Sequence, residues 1–347
     1  MDEIEVAPAG RRRLSPDGIY LALGGGAARG FAHLGILRAL EAGGVPIAGI
    51  CGTSMGALVG ANYALVPNAD QVIQDFKNYL HGEHFDSVRY AFIEEVKRRG
   101  KRERWQSWKR TLRNGLLYGR SLTQGSIVSF DDFRREIYAL LPDKAFRDTK
   151  IPFFAVGVDL TNYREVVFDR GLLRSAVLAS CAIPGVFPAV RDGNTVFVDG
   201  GWLNKIPVNP LIAFGGSKVL AVDVSDTPKP QLNPRRGYSL VSEVNNAAQL
   251  RLIQLQTERA ALFWRPPVDQ INWADFTDID RAVEVGRRFA EEHLHELQRL
   301  MVSDRKPSWW RRWGSRLMGE KKTAPVKFSF DVRGIWDIDA AGNAFNP

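Results

Sequence analysis

The sequence predicts an α/β protein, with a mainly parallel central sheet and helices on its faces. Three observations carry this. From Ile19 the chain alternates apolar strand-like runs with helical ones, strand–helix–strand–helix, which implies parallel strands joined by crossover helices. Two of the strand-like runs end in glycine-rich turns, Gly24-Gly25-Gly26 and Gly52-Thr53-Ser54-Met55-Gly56, just where a helix begins. At 347 residues, with 45% hydrophobic and 25% charged residues, the chain suits one large domain with extensions, or two domains.

In order, Met1–Glu5 is acidic and has no apolar segment, so it does not read as a secretory signal. Ile19–Leu23 is a short apolar strand, followed by Gly24–Gly30. The helix Phe31–Ala42 carries Leu34, Leu37 and Leu40 on one face and stops at Gly43-Gly44. Ile47–Cys51 is the second strand, and a second helix starts near Ala57. Residues 42–69 contain no charged residue, but Pro46, several glycines, Thr53, Ser54 and Asn62 break them into strand, turn and helix. They read as buried core rather than a membrane span. Asp70–Leu141 is mostly helix and loop. Strands are expected at Ile151–Asp159 and Glu165–Asp169, a helix at Leu172–Ser180, and a proline-braced turn at Ile183–Pro188. Thr195–Val198 is a strand ending in Asp199-Gly200-Gly201, and Lys218–Val224 is another. Two long helices, Leu240–Phe263 and Ile279–Met301, follow, with Asp269–Trp273 as an optional strand between them.

The first glycine-rich loop is not a dinucleotide fingerprint. Gly24 and Gly26 fit, but Arg29 stands where the third glycine belongs, and no acidic residue ends the second strand. What the loop offers is free backbone N–H groups at a helix N-terminus, a site for negative charge such as a tetrahedral oxyanion. Ser54, at a strand–helix turn between Gly52 and Gly56, has the pattern of a nucleophile elbow. A serine nucleophile needs a base. None of the five histidines fits well: His33 lies among apolar helix residues, His81 and His84 in a polar loop, His293 and His295 on a charged helix face. Asp199 fits better, because it ends an apolar strand before two glycines. If its strand is parallel to the others, it shares the edge to which the elbow points. The other reading of Asp199 is a plain turn residue.

Charge is uneven. Lys97–Arg113 carries nine basic residues and Glu103, and Arg305–Lys322 carries seven and Glu320. With a total of +8, the rest of the chain is therefore at −6. Two basic patches on an acidic body suggest an anionic surface as partner. Both patches hold tryptophans. Trp105 and Trp108 lie in the first, as a membrane-facing helix or a solvated one. In Trp309–Lys322, Trp309 or Trp310, Trp313 and Leu317 are spaced by helical turns, as an interfacial anchor or a packed extension. Such tryptophans suit lipid better than nucleic acid. Phe328–Val332 reads as a further strand and Asp337–Gly342 as a turn. Cys51 and Cys181 read as buried reduced thiols.

Four separated motifs, in order, resemble the patatin-like phospholipase family, in particular its bacterial branch, related to neuropathy-target-esterase catalytic domains. These are Gly24–Gly30 with Phe31–Gly35, Gly52–Gly56, Ala179–Pro188, and Val198-Asp199-Gly200-Gly201 with Asn204 and Pro207-Val208. The match runs from about Ile19 to about Pro210, and more loosely to Met301. It departs from plant patatins at Ala27, whose N–H still donates. The resemblance implies a three-layer α/β/α fold over 19–302; the residues themselves add a basic helical insert at about 85–125, an N-terminal tail 1–18 and a C-terminal extension 303–347, the last unaccounted for by the four motifs. It implies a Ser54–Asp199 dyad, with Ser54 as nucleophile and Asp199 as base. Gly25, Gly26 and Ala27 would supply oxyanion N–H groups with Arg29 supporting their loop, and Gly52, Gly56, Gly200 and Gly201 would support the motifs. It implies hydrolysis of acyl esters of phospholipids or lysophospholipids, through an acyl-enzyme, with no metal or cofactor, and the two basic tryptophan segments add the expectation that this happens at a membrane surface. The expected setting is cytoplasmic and peripheral to the membrane, without the family's cyclic-nucleotide-binding domains. A catalytically silent membrane- or protein-binding module of the same fold is the alternative.

Overall fold

The computed structural model describes residues 18–82, 126, 128–225 and 237–302, with short strands at 331–332, 336–338 and 344–345. The tail 1–17, the basic insert with Lys97–Arg113, and Trp309–Lys322 lie outside the described residues. In chain order the elements are β1 (Ile19–Leu23), α1 (Ala32–Ala42), β2 (Ile47–Thr53), α2 (Met55–Leu65), α3 (Ala69–Leu80), α4 (Phe130–Leu140), β3 (Phe153–Asp159) and β4 (Arg164–Phe168). Then follow α5 (Leu173–Ser180), β5 (Val190–Asp192), β6 (Thr195–Asp199), α6 (Val208–Ala213), β7 (Val219–Val222), α7 (Gly237–Thr257), β8 (Leu262–Trp264) and α8 (Ile279–Val302).

The sheet has a parallel spine in the order β8-β7-β1-β2-β3. Beyond β3 it turns mixed: β4 and β6 both pair antiparallel with β3, and β5 closes a hairpin on β6. The short strands of 331–345 continue from β4, with Asp331 opposite Val166. Strands covered on both faces read as unbroken apolar runs. β1 shows this, with every residue buried and alternate side chains entering opposite cores. Ile19, Leu21 and Leu23 join the larger core with α1, α2, α3, α5 and α8; Tyr20 and Ala22 join the smaller one with Val208 and Leu211 of α6 and Ile253 of α7. The result is the expected three-layer arrangement.

Helix starts follow local chemistry. Asn68 caps α3 by accepting from Gln71 N–H at 3.0 Å, and Ser129 caps α4 by accepting from Asp132 N–H at 3.1 Å. The uncharged stretch after Gly43 is β2 and α2, and α2 is buried on nearly all sides between sheet and helices. α1 and α8 cross in backbone contact. A Cβ at Gly35 would lie 1.9 Å from Val283 O, and one at Gly286 2.0 Å from Ala32 O.

Four expectations need correction. Phe31 closes a 3₁₀ turn, Ala27–Phe31, and α1 begins at Ala32. The helix expected to reach Phe263 stops at Thr257, and Leu262–Trp264 becomes β8, zipped parallel to β7. Asp269–Trp273 is irregular rather than a strand: local bonds from Ile271 N–H to Val268 O and from Asp275 N–H to Asn272 O fold it into turns, and the Ile271 and Trp273 carbonyls accept from Arg29 and Ala28. Asp337 and Ile338 belong to a strand, not a turn.

Candidate active site

β2 delivers Ser54. The residue sits between Thr53, the last of β2, and Met55, the first of α2, at φ 55° and ψ −124°. A non-glycine residue in such a conformation costs about 1–3 kcal/mol and persists only where its surroundings force it. Here β1 presses directly on the turn. A Cβ at Gly56 would lie 2.1 Å from Leu23 O, and one at Gly52 2.3 Å from Gly56 O, so neither position accepts a side chain. The Ser54 N–H donates to Ser180 Oγ at 3.0 Å, and the Ser180 hydroxyl donates onward to Val156 O at 2.6 Å. From the other side, the Thr53 hydroxyl donates to Asn204 O at 2.9 Å.

Asp199 reaches the same place by a route opposite to the one expected. β6 is antiparallel to β3 and enters from outside the C-terminal edge of the parallel strands, so its last residue stands opposite Gly157. A Cβ at Gly200 would lie 2.4 Å from Val156 O, so the chain turns there only with glycine. The Gly201 N–H donates to Asp199 Oδ1 at 2.7 Å, and the Asp199 N–H donates to Ala182 O at 2.9 Å. Asp199 is 4% exposed. Burial pushes its pKa up to about 6, against the opposing pull of the Ser54 hydroxyl, the Gly201 N–H and the Lys205 charge.

The glycine-rich loop is tied down at both ends. Gly24 N–H donates to Val222 O at 2.9 Å and Ala28 N–H to Trp273 O at 2.9 Å. Buried Arg29 donates from Nε to Ile271 O at 2.8 Å, which supports the loop from beneath. Gly25 differs from expectation: its N–H is committed to Lys205 O at 3.1 Å. The N–H groups of Gly26 and Ala27 donate to no acceptor among the described residues, and Ala27 sits in the left-handed region at φ 49°. His33 lies under this loop, with Nε2 2.8 Å from Gly24 O. That carbonyl can only accept, so Nε2 carries the proton, and burial keeps the ring neutral by lowering its pKa to about 4.

Ser54 and Ala27 stand where two cavities meet. One is apolar, lined by Phe31, Leu58, Phe133, Ile137, Leu140 and Phe187 among others. Its charged member among the described residues, Glu136, accepts from the Tyr79 hydroxyl. The other is a polar cleft that also holds Asp199, Lys205, Asn245, Asn246 and Gln249. Among the described residues, neither cavity is lined by a histidine. His293 and His295 lie on α8, their Nδ1 atoms 2.7 and 3.0 Å from Phe289 O and Glu292 O of their own helix.

Several residues here were not singled out from sequence. Ser180 lies inside a motif quoted above, and its only signal is that position. Lys205 carries none. Glu165 on β4 accepts from Asn204 Nδ2 at 2.8 Å, and desolvation raises its pKa to about 7. It therefore braces the loop behind Thr53.

A serine forced onto a strained strand–helix turn, with a buried carboxylate and unengaged N–H groups beside it, defines a nucleophile-elbow α/β protein. The model of the family described as patatin-like phospholipase matches residues 21–212. The chain belongs to the patatin-like phospholipase family. Lysophospholipase NTE1 of Eremothecium gossypii is 28% identical over 316 residues, covering 83% of this chain and 19% of its own. Patatin-like phospholipase domain-containing protein 6 of Pongo abelii is 27% identical over 312 residues, covering 81% of this chain and 20% of its own. The chain thus spans about a fifth of the length of these relatives. The crystal structure of VipD from Legionella pneumophila aligns at a TM-score of 0.43 and 14% identity, over 84% of this chain and 70% of its own. No described helix is long and apolar enough to cross a membrane.

Proposed function

We propose that the protein is a serine acyl hydrolase that cleaves acyl esters of phospholipids or lysophospholipids at a membrane surface. The observation that carries this is Ser54 at the junction of an apolar cavity and a polar cleft, with Asp199 beside it. An acyl chain fits the first space and the polar alcohol portion fits the second. The names of the relatives, lysophospholipase and patatin-like phospholipase, support the same chemistry.

In this reading Ser54 Oγ attacks the ester carbonyl while its proton passes to Asp199. The carbonyl oxygen becomes an oxyanion facing the N–H groups of Gly26 and Ala27. Collapse expels the alcohol, which takes the proton from Asp199. Water then attacks the acyl-enzyme, gives a proton to Asp199, and releases the fatty acid as that proton returns to Ser54. A carboxyl pKa of about 6 leaves Asp199 ionised at neutral pH yet basic enough to accept the serine proton. The basic, tryptophan-bearing segments Lys97–Arg113 and Trp309–Lys322 hold the protein to an anionic bilayer on the cytoplasmic side.

The test is release of fatty acid from oleoyl lysophospholipid by wild type, Ser54→Ala and Asp199→Asn. Wild type cleaves, and both variants lose activity by about a thousandfold or more, as when a nucleophile or its base is removed. A Ser54→Ala protein that still cleaves would rule the mechanism out.

A further inference from the structure

The acyl-hydrolase reading leaves one feature of the polar cleft unused. Lys205 lies in the short connection between the Gly200–Trp202 turn and α6. Its backbone is fixed on both sides: its N–H donates to Gln256 Oε1 at 3.1 Å, and its carbonyl accepts from Gly25 N–H at 3.1 Å. The residue is thus bonded to the oxyanion loop itself, and its side chain lines the cleft that holds Ser54 and Asp199. The ammonium forms no ion pair among the described residues, although it is near enough to Asp199 to lower that pKa. α7 lines the same cleft with Asn245, Asn246 and Gln249, all neutral; the Gln249 amide donates to Trp202 O at 3.0 Å, and the two asparagine amides can donate to a ligand. With the Asp199 carboxylate taken up by the Gly201 N–H and the Ser54 hydroxyl, the Lys205 ammonium, beside neutral polar side chains, keeps charge to offer an anion, and lysine binds phosphate as a point charge.

Resting on the acyl-hydrolase reading and deepening it, we propose that Lys205 makes the polar cleft a phosphate-recognising head-group site, so that the protein selects acyl esters of glycerophosphates over uncharged acyl esters. Ser54 lines both cavities, which leaves the polar cleft for whatever part of a bound ester the apolar cavity does not take. An ester whose chain fills the apolar one projects its alcohol portion toward Lys205.

The test compares kcat/KM for three substrates sharing one acyl chain: oleoyl lysophosphatidic acid, oleoyl lysophosphatidylcholine and monooleoylglycerol. Wild type, Lys205→Met and Lys205→Arg are each assayed across about pH 6 to 9 and compared on the plateau where activity no longer rises with pH, so that the effect of Lys205 on Asp199 is separated out, and melting temperatures check that each is folded. Wild type prefers both phosphate esters. Lys205→Met loses about tenfold or more on those two, the size of one charge-assisted hydrogen bond, and changes little on monooleoylglycerol, while Lys205→Arg keeps the preference. An equal loss on all three substrates would mean that Lys205 acts only through Asp199 and would overturn the proposal. So would inorganic phosphate blocking monooleoylglycerol cleavage by wild type but not by Lys205→Met, without any preference among the esters, since the cation would then serve free phosphate. A folded wild type that cleaves none of the three sinks the hydrolase reading, and this proposal with it.

Discussion

The backbone N–H of Ser54 is held by the hydroxyl of Ser180, which is itself held by the carbonyl of Val156. The strained serine is thereby fastened to β3 through a side chain 126 residues away. Ser180→Ala leaves a buried N–H without its acceptor, at a cost of about 1–3 kcal/mol, and lets the turn relax. The expected result is a kcat reduced by about 10–100-fold with KM near that of wild type, read from steady-state kinetics on a soluble ester. Unchanged kcat would mean that the glycine contacts alone hold the elbow.

Asp199 sets a pH dependence of known sign. Its pKa is raised in the fold to about 6, so the folded state holds that proton more tightly than the unfolded chain does. The resulting stabilisation is present at low pH and is lost as pH rises through about 6. Asp199→Asn should therefore match wild type near pH 4 and be more stable above pH 6, by up to about 3 kcal/mol for a shift of roughly two units. His33, lowered to about 4, and Glu165, raised to about 7, have opposite pH effects of their own, but both proteins share them and they cancel in the difference. Melting temperatures of the pair from pH 4 to pH 8 supply the check. Wild-type activity should rise with pH through about 6, as the base ionises.

Ala27 offers a stabilising substitution. At φ 49° an alanine is strained where a glycine is not. Ala27→Gly keeps the N–H and relieves the strain, so it should raise stability by about 1 kcal/mol with activity retained. Denaturant unfolding and an ester assay test the two halves. A destabilised or inactive Ala27→Gly protein would show that the methyl group is needed by the apolar cavity, which it lines.

The apolar cavity makes chain length a readout. Leu140 lines it and is only partly buried, so a larger side chain can enter there without crushing the core. Leu140→Trp shortens the space for an acyl chain. Each methylene kept out of an apolar site forfeits about 0.8 kcal/mol, so excluding two lowers kcat/KM on long-chain esters by about tenfold. Short-chain esters should be cleaved as by wild type. A uniform loss at all chain lengths would place the acyl chain elsewhere.

What was legible in the sequence is what is local. β1, the glycine-rich loop, α1, β2 and the elbow follow one another in the chain, and each is marked by an apolar run or a glycine that only a tight turn explains. Ser54 and Gly56 are legible because the strand before them, the glycines beside them and the helix after them are contiguous in the chain. Asp199 was placed at the right edge through the wrong geometry, since nothing in Thr195–Val198 tells an antiparallel strand from a parallel one. Leu262 and Phe263 of β8 read as the end of the long helix from Leu240 because they prolong its apolar run, and only β7 beside them makes them strand. Ser180, Lys205 and the carbonyls of Ile271 and Trp273 act on the site across sequence gaps that no local pattern encodes. That the Gly25 N–H is committed, so that those of Gly26 and Ala27 are the proposed oxyanion donors, likewise depends on Lys205 O, a partner 180 residues from Gly25.

The central claim is that Ser54 is the nucleophile and Asp199 its base. A fluorophosphonate reports on both, because it is attacked by an activated serine and leaves a stable phosphonyl ester at the attacking atom. Wild type, Asp199→Asn and Ser180→Ala, each verified as folded by melting temperature, are treated with the reagent, and the modified peptide is mapped by mass spectrometry. A single adduct on Ser54 in wild type, formed far more slowly in Asp199→Asn, is the predicted result. A folded wild type that takes no label at Ser54, or an Asp199→Asn protein labelled as fast as wild type, would contradict it.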